Sequence, residues 1–185
     1  IRICLVGSEM CIRDRPSEGA VSPEAAALAK QAGFSWLATD QALMEQADRS
    51  GPACLHGPWQ IQGGPLGLFR DRELSDRISF HYAQWRGEDA AADLIGQVDA
   101  RYPEGVCVLA LDGENPWECY PDAGEAFMRT LFSSGRVTSL DAAALRQPVG
   151  TIHRIHTGSW IGGHLGVWAG DADDRRAWRL VADAR

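Results

Sequence analysis

The stretch that decides the fold is VCVLALDGENPWECY, residues 106–120. It opens with an unbroken apolar run, VCVLAL, between Gly105 and Gly113, with no polar alternation. A strand with one wet face alternates polar and apolar residues, whereas a strand covered on both faces does not. The run therefore predicts a strand of a parallel sheet with layers packed on both sides. It ends in Asp112, followed by Gly113 for a sharp turn, Glu114, and the flat faces of Trp117 and Tyr120. In parallel α/β folds the chemistry collects beyond the carboxyl ends of the strands, where the loops converge.

Two other short apolar runs end in the same way. FSWLATD closes on Asp40, and LGLF leads through Arg70 to Asp71 in the charged cluster RDRELSD, residues 70–76. Helical signals separate these runs. In SPEAAALAKQAG, Ser22 suits the cap, Pro23 the first turn, Glu24 the dipole and Gly33 the stop. QALMEQA, AGEAFMRTLF, DAAALRQ and the terminal DADDRRAWRLVADAR also read as helices. EDAAADLIGQVDARY is predicted to turn Ala92, Ile95, Val98 and Tyr102 to one face. The Gly- and Pro-rich stretch from Arg49 to Gly67 predicts a loop. Short strands alternating with helices give an α/β class, a parallel sheet or a barrel.

Composition narrows the function classes. The 185 residues are 45% apolar and 23% charged, with no apolar run near the roughly 18–20 residues of a membrane span. The net charge is −7 and Lys30 is the single lysine, so phosphate backbones and anionic membranes are repelled and a neutral substrate fits. Nucleic acid and membrane are not expected partners. Cys4, Cys11, Cys54, Cys107 and Cys119 form no CxxC pair, which suits a reducing, cytoplasmic setting. Residues 1–15, IRICLVGSEMCIRDR, carry no period that matches the rest of the chain and resemble translated adapter sequence. They are set aside as non-native, leaving residues 16–185 as the domain. The last helix lacks a Gly, Asn or Pro stop, so the natural sequence is expected to continue.

Each acid at a strand end has an alternative reading as a helix cap. Asp112 stands out through Glu114, Trp117 and Tyr120, because flat aromatic faces of this kind stack on sugar rings. Glu18 lies in the turn PSEGAVS just before the capped helix, where a solvated acid or a dipole partner is the ordinary reading. TIHRIHTGSW brings His153, His156 and Trp160 together, with His164 beyond. That spacing invites a metal, yet it lacks the helical H-E-x-x-H arrangement, and substrate contact or structural hydrogen bonding is the favoured reading. No metal or other cofactor is expected.

Taken in order, PSEGAVSPEAA, GFSWLATD, LFRDRELSD, LALDGENPWECYPDAGEAF and HTGSWIGGHLGVWAG resemble glycoside hydrolase family 57, above all its amylopullulanase and α-amylase members. The resemblance covers essentially everything after Arg15. It implies part of a distorted (β/α)7 barrel, truncated at both ends, that acts on α-glucans with retention of configuration. It also implies that Glu18 is the nucleophile and Asp112 the general acid/base. His156, Trp160, Trp117 and Glu114 would then lie near the substrate, with Arg70 and Asp71 in a further motif of the site. Such a pair of carboxyls works at a separation of about 5–5.5 Å. The family usually has a tryptophan where this chain has Arg15, as a junction with foreign sequence would produce.

Hydrolysis and transfer to a second glucan share this chemistry, so a transferase or branching enzyme is an alternative. A non-catalytic glucan-binding module is another, and a hydrolase using a metal on His153, His156 or His164 is a third. A barrel lacking strands exposes edges and apolar faces, so the 185 residues by themselves are expected to be inactive.

Overall fold

The computed structural model describes residues 2–5, 13–47, 57–112, 117–144, 146–170 and 172–184. The chain runs through β1 (Arg2–Leu5), β2 (Arg13–Asp14), a 3₁₀ turn (Ser17–Gly19), α1 (Pro23–Gln31), β3 (Trp36–Asp40) and α2 (Gln41–Ala47). It continues with β4 (Trp59–Ile61), β5 (Leu66–Arg70), α3 (Arg72–Asp76), α4 (Gly87–Arg101) and β6 (Val106–Leu109). The last elements are α5 (Glu125–Ser133), β7 (Val137–Thr138), α6 (Leu140–Ala144), β8 (Gly150–Ile152), α7 (Gly166–Ala169) and α8 (Ala172–Asp183). One sheet runs in the order β2-β3-β5-β6-β1-β7, with β4 beside β5 and β8 beside β4. Every pairing is parallel except that of β4 with β5.

The apolar runs become the central strands because both of their faces are covered. Successive side chains of a strand point to opposite sides. Leu37, Phe69, Cys107 and Leu109 accordingly join a core with Leu43, Leu74, Leu94, Phe127 and Leu131 from the helices. Trp36, Ala38, Leu68, Val106 and Val108 form a second cluster on the other face, with Leu140 and Ala143 of α6. Asp40 and Arg70 have the sequence parity of this second face. The carboxyl ends of β3, β5 and β6 lie side by side, in register from Asp40 to Arg70 and from Arg70 to Val108.

Two details differ from the sequence reading. The stretch expected to be a loop contains β4: Ile61 is buried and Trp59 packs on Gly150, where a Cβ would lie 2.6 Å from the indole Cζ3. The flanking Gly57, Pro58, Gly63, Gly64 and Pro65 hide this short strand from pattern reading. In α4 the buried residues are Ala90, Ala91, Leu94 and Val98, while Ala92 is exposed, because the face follows the larger Leu94. The segment set aside as non-native takes part in the sheet, β1 between β6 and β7 and β2 beside β3. A short apolar run such as ICL suffices to satisfy strand edges there.

The helix signals hold in detail. The Ser22 hydroxyl accepts a hydrogen bond from the Ala25 amide at 3.1 Å, and Gly33, at φ +89°, ends the helical turn. Beyond α3, Glu73 binds Arg101 of α4 through two bonds, at 2.6 and 2.9 Å, and also receives Arg77. The Arg101 contact, aided by Arg77, lowers the Glu73 carboxyl from its ordinary 4.5 to about 2. A carboxyl depressed in the folded state contributes stability that is complete above the ordinary value and is lost as pH falls toward the depressed one. The pair is solvent-exposed, so Glu73→Gln is expected to cost only about 0.5–1 kcal/mol at pH 7. Urea melts of both proteins should show that difference narrowing as pH drops from 4.5 toward 2.

Candidate active site

Three acids follow central strands, and the structure gives them different environments. Asp40 is fully buried. Its Oδ2 accepts from Arg70 Nε at 2.7 Å, and its Oδ1 from the Ala42 amide at 2.9 Å and from Arg72. Asp71 is also buried and caps α3, its Oδ1 accepting from the Leu74 amide at 2.9 Å and its Oδ2 from the Tyr102 hydroxyl at 2.7 Å. Burial, then the Cys107 thiol and the bond to Asp71, push the Tyr102 hydroxyl well above its ordinary range, so it remains a donor. Asp71 is therefore built into the packing of α3 and α4, directly after β5. Asp112 is the exposed member, with about a third of its side chain open to solvent.

Arg70 is 8% exposed. Besides Asp40, it donates from NH1 to the Ala110 carbonyl at 3.2 Å and lies 3.5 Å from Asp76. Burial raises the Asp76 carboxyl against the opposing pull of Arg70 and Arg72. The Arg70 guanidinium also sits over the indole of Trp160, 4.5 Å from the ring centroid. Arg15 stacks on the same indole at 4.6 Å and reaches Asp112 Oδ1 at 3.7 Å.

Trp160 completes the link to Glu18. Its indole N–H donates to Glu18 Oε2 at 2.6 Å, and its amide to the Glu18 carbonyl at 3.1 Å. Close by, Val21 and Gly158 exchange two backbone hydrogen bonds at 2.9 and 3.0 Å. The turn before α1 and the HTGSW loop are thus stapled together. Glu18 itself sits at φ 55°, ψ 24°, a left-handed conformation costly for a residue with a Cβ. The following Gly19 carbonyl accepts from the buried Thr39 hydroxyl at 2.6 Å, which ties this turn to β3.

Glu18, Trp160, Arg15, Asp112 and Arg70 therefore meet at the carboxyl end of the sheet. The remaining candidates divide. His156 is half-buried in the loop that leads to Trp160. Trp117 packs on Tyr120 and Phe127 at the edge of the core, and Glu114 lies outside the described residues. His153 bonds to Gln62, while His164 accepts the Gly166 amide. Among the described residues no three His, Cys, Asp or Glu side chains converge as metal ligands, and no helix is long and apolar enough to cross a membrane.

Sequence reasoning passed over one feature, a cleft of about 460 Å³ against Glu18, walled by Ser17, Ala20, Leu165, Trp168, Ala169 and Trp178. Its only sequence signals are Trp168, at the end of the HTGSWIGGHLGVWAG string, and Trp178, in the segment read as a terminal helix. The cleft offers aromatic faces beside one carboxylate and a second carboxylate across Trp160 and Arg15.

Comparison with known proteins bears on the family and the fold. The family model described as glycosyl hydrolase family 57 matches residues 14–155. No curated protein sequence matches the chain. Among solved structures, the 4-α-glucanotransferase from Thermococcus litoralis superposes with a TM-score of 0.60 at 17% identity, over 90% of this chain and 27% of that one. A GH57-type branching enzyme from Pyrococcus horikoshii gives 0.58 at 15% identity, over 80% and 37%. The α-amylase AmyC from Thermotoga maritima gives 0.58 at 12%, over 77% and 42%. The chain thus spans less than half the length of each. Likeness at such identities is one of fold, and it agrees with the α/β class and the partial (β/α)7 barrel expected from sequence.

Removing one partner of a buried ion pair leaves the other uncompensated, at about 3–5 kcal/mol. Asp40→Ala is expected to destabilise the protein by that order, and the double change Asp40→Leu with Arg70→Met to recover much of it. Chemical denaturation of the single and double variants measures both.

Proposed function

The chain belongs to glycosyl hydrolase family 57, and from that membership we propose that the enzyme carrying it hydrolyses α-glucans with retention of anomeric configuration, in the manner of an α-amylase or amylopullulanase. The observation that carries the proposal is a part-exposed carboxylate, Glu18, held by Trp160 against an aromatic cleft, at the end of the sheet where the part-exposed Asp112 also lies. The names of the structural neighbours, a glucanotransferase and an α-amylase among them, support the α-glucan substrate class.

The reaction proceeds by two displacements. Asp112, protonated, gives its proton to the glycosidic oxygen as that oxygen leaves the anomeric carbon. Glu18, ionised, attacks the same carbon and forms a glycosyl ester. Asp112 then takes a proton from water, the water attacks the anomeric carbon, and the Glu18 carboxylate departs. Glu114, two positions on in sequence, adds a second carboxylate, and His156 contributes hydrogen bonds to the sugar. Trp168 and Trp178, 39% and 64% exposed, supply the faces on which glucose rings stack. Arg70, Asp71 and Trp117 support these groups from the packing beneath. The substrate is neutral, as the acidic chain requires.

Transfer to a second glucan is the alternative outcome of the same intermediate, and the aromatic cleft beside Glu18 is the feature that favours it, since it can hold a sugar acceptor in place of water.

The roles of the two acids separate by azide rescue with an activated α-glucosyl donor. Glu18→Ala is expected to give the β-glucosyl azide, because azide replaces the enzyme nucleophile in a single inversion. Asp112→Ala is expected to lose about 10²- to 10⁴-fold in turnover of unactivated glucan and to give the α-glucosyl azide from the covalent intermediate. Glucan binding without turnover in the unaltered full-length enzyme would favour a binding module instead.

A further inference from the structure

Trp160 is placed in a way that sugar stacking does not explain. The Arg70 guanidinium lies over its ring, 4.5 Å from the centroid, on surface that a glucose ring would need. Its polar edge is committed to Glu18 through the indole N–H at 2.6 Å, and its backbone to the Glu18 carbonyl. Arg70 cannot drift away from the ring, because Asp40 and the Ala110 carbonyl hold it. A cation over an aromatic face draws π density toward itself and makes the ring edge more positive, which strengthens the N–H as a donor.

We propose that Trp160 is a positioning residue for Glu18, which fixes Oε2, assigns the attack to Oε1 and chiefly accelerates departure of the Glu18 carboxylate in the second displacement. The inference rests on the reading of Glu18 as nucleophile. Its direction follows from where charge resides. In the first displacement the Oε1–C1 bond forms, the bond from C1 to the leaving oxygen breaks, and that oxygen takes the Asp112 proton. The negative carboxylate becomes a neutral ester, and the bond from Trp160 to Oε2 weakens, since hydrogen bonds to ionised acceptors are roughly twice as strong as neutral ones. In the second displacement the Oε1–C1 bond breaks, water supplies the new oxygen and gives its proton to Asp112, and charge returns to the carboxylate. The N–H bond strengthens again along that path. Trp160 therefore stabilises the transition state for carboxylate departure relative to the intermediate, while during attack its main service is geometric.

The test uses the full-length enzyme that carries this chain and an activated α-glucosyl fluoride, with two variants. Trp160→Phe removes the N–H. Replacement of Trp160 by benzothienylalanine removes it while keeping ring size and the stacking on Arg70, so the test survives if the Phe variant folds poorly. The expected result is a fall in kcat of about 10- to 100-fold, with KM falling alongside it and kcat/KM changing far less. The glycosyl-enzyme should accumulate, visible as a pre-steady-state burst and as a mass increase of one glucosyl unit in the intact protein. A merely structural or sugar-stacking role would lower kcat/KM or raise KM with no accumulation, and that result, like unchanged kinetics, overturns the proposal. Peptide mapping of the trapped adduct separates the two levels of inference. An adduct on a residue other than Glu18 removes the nucleophile assignment itself. An adduct on Glu18 that does not accumulate in either variant removes only the role of Trp160.

Discussion

The guanidinium of Arg70 is the constraint on which the site depends. A cation 8% exposed at the end of β5 costs several kcal/mol unless it is paired and hydrogen-bonded. It is satisfied from three directions, by Asp40 at the end of β3, by the Ala110 carbonyl just past β6 and by Asp76 at the end of α3. One side chain thus draws three strand ends together. Its remaining face lies against Trp160, and Trp160 holds Glu18. The position of Glu18 is accordingly set from the sheet outward, through contacts that join residues far apart in sequence.

This arrangement accounts for a local conflict. Glu18 occupies left-handed backbone space that favours glycine, and such strain, of order 1–3 kcal/mol, persists only where the surroundings over-determine it. The surroundings here do so: the Gly19 amide bonds to the Pro16 carbonyl, Thr39 binds the Gly19 carbonyl, and Trp160 binds Glu18 twice. The conformation puts a carboxylate against an apolar cleft, while Asp112, about a third exposed, follows β6 at the same end of the sheet. Two acids in unlike settings, one strained against aromatic walls and one in partial solvent, can take unlike roles in one reaction.

What the sequence disclosed depended on how local the determining physics was. VCVL and FSWLATD announced doubly covered strands because burial on both faces leaves its mark on every residue. Ser22 and Gly33 announced a helix because capping is decided within a few residues. Glu18 and Asp112 were named through resemblance, while composition and spacing left each with an ordinary alternative. Asp71, like Asp112 an acid after an apolar run, also serves as the cap of α3, a bond that the strand pattern alone does not show. The β4 strand was hidden by the glycines and prolines around it, and the packing of Trp117 on Phe127 joins positions that no local pattern links. The bond from Trp160 to Glu18 spans 142 positions, and no local pattern encodes it.

The account stands or falls on whether Glu18 and Asp112 act as a retaining pair. The direct measurement is proton NMR of the first reducing ends released from a maltooligosaccharide by the full-length enzyme, recorded before mutarotation. Two displacements at one carbon predict that the α-anomer appears first. The β-anomer appearing first would mean a single displacement by water, which requires carboxyls about 6.5–9.5 Å apart and would contradict the account.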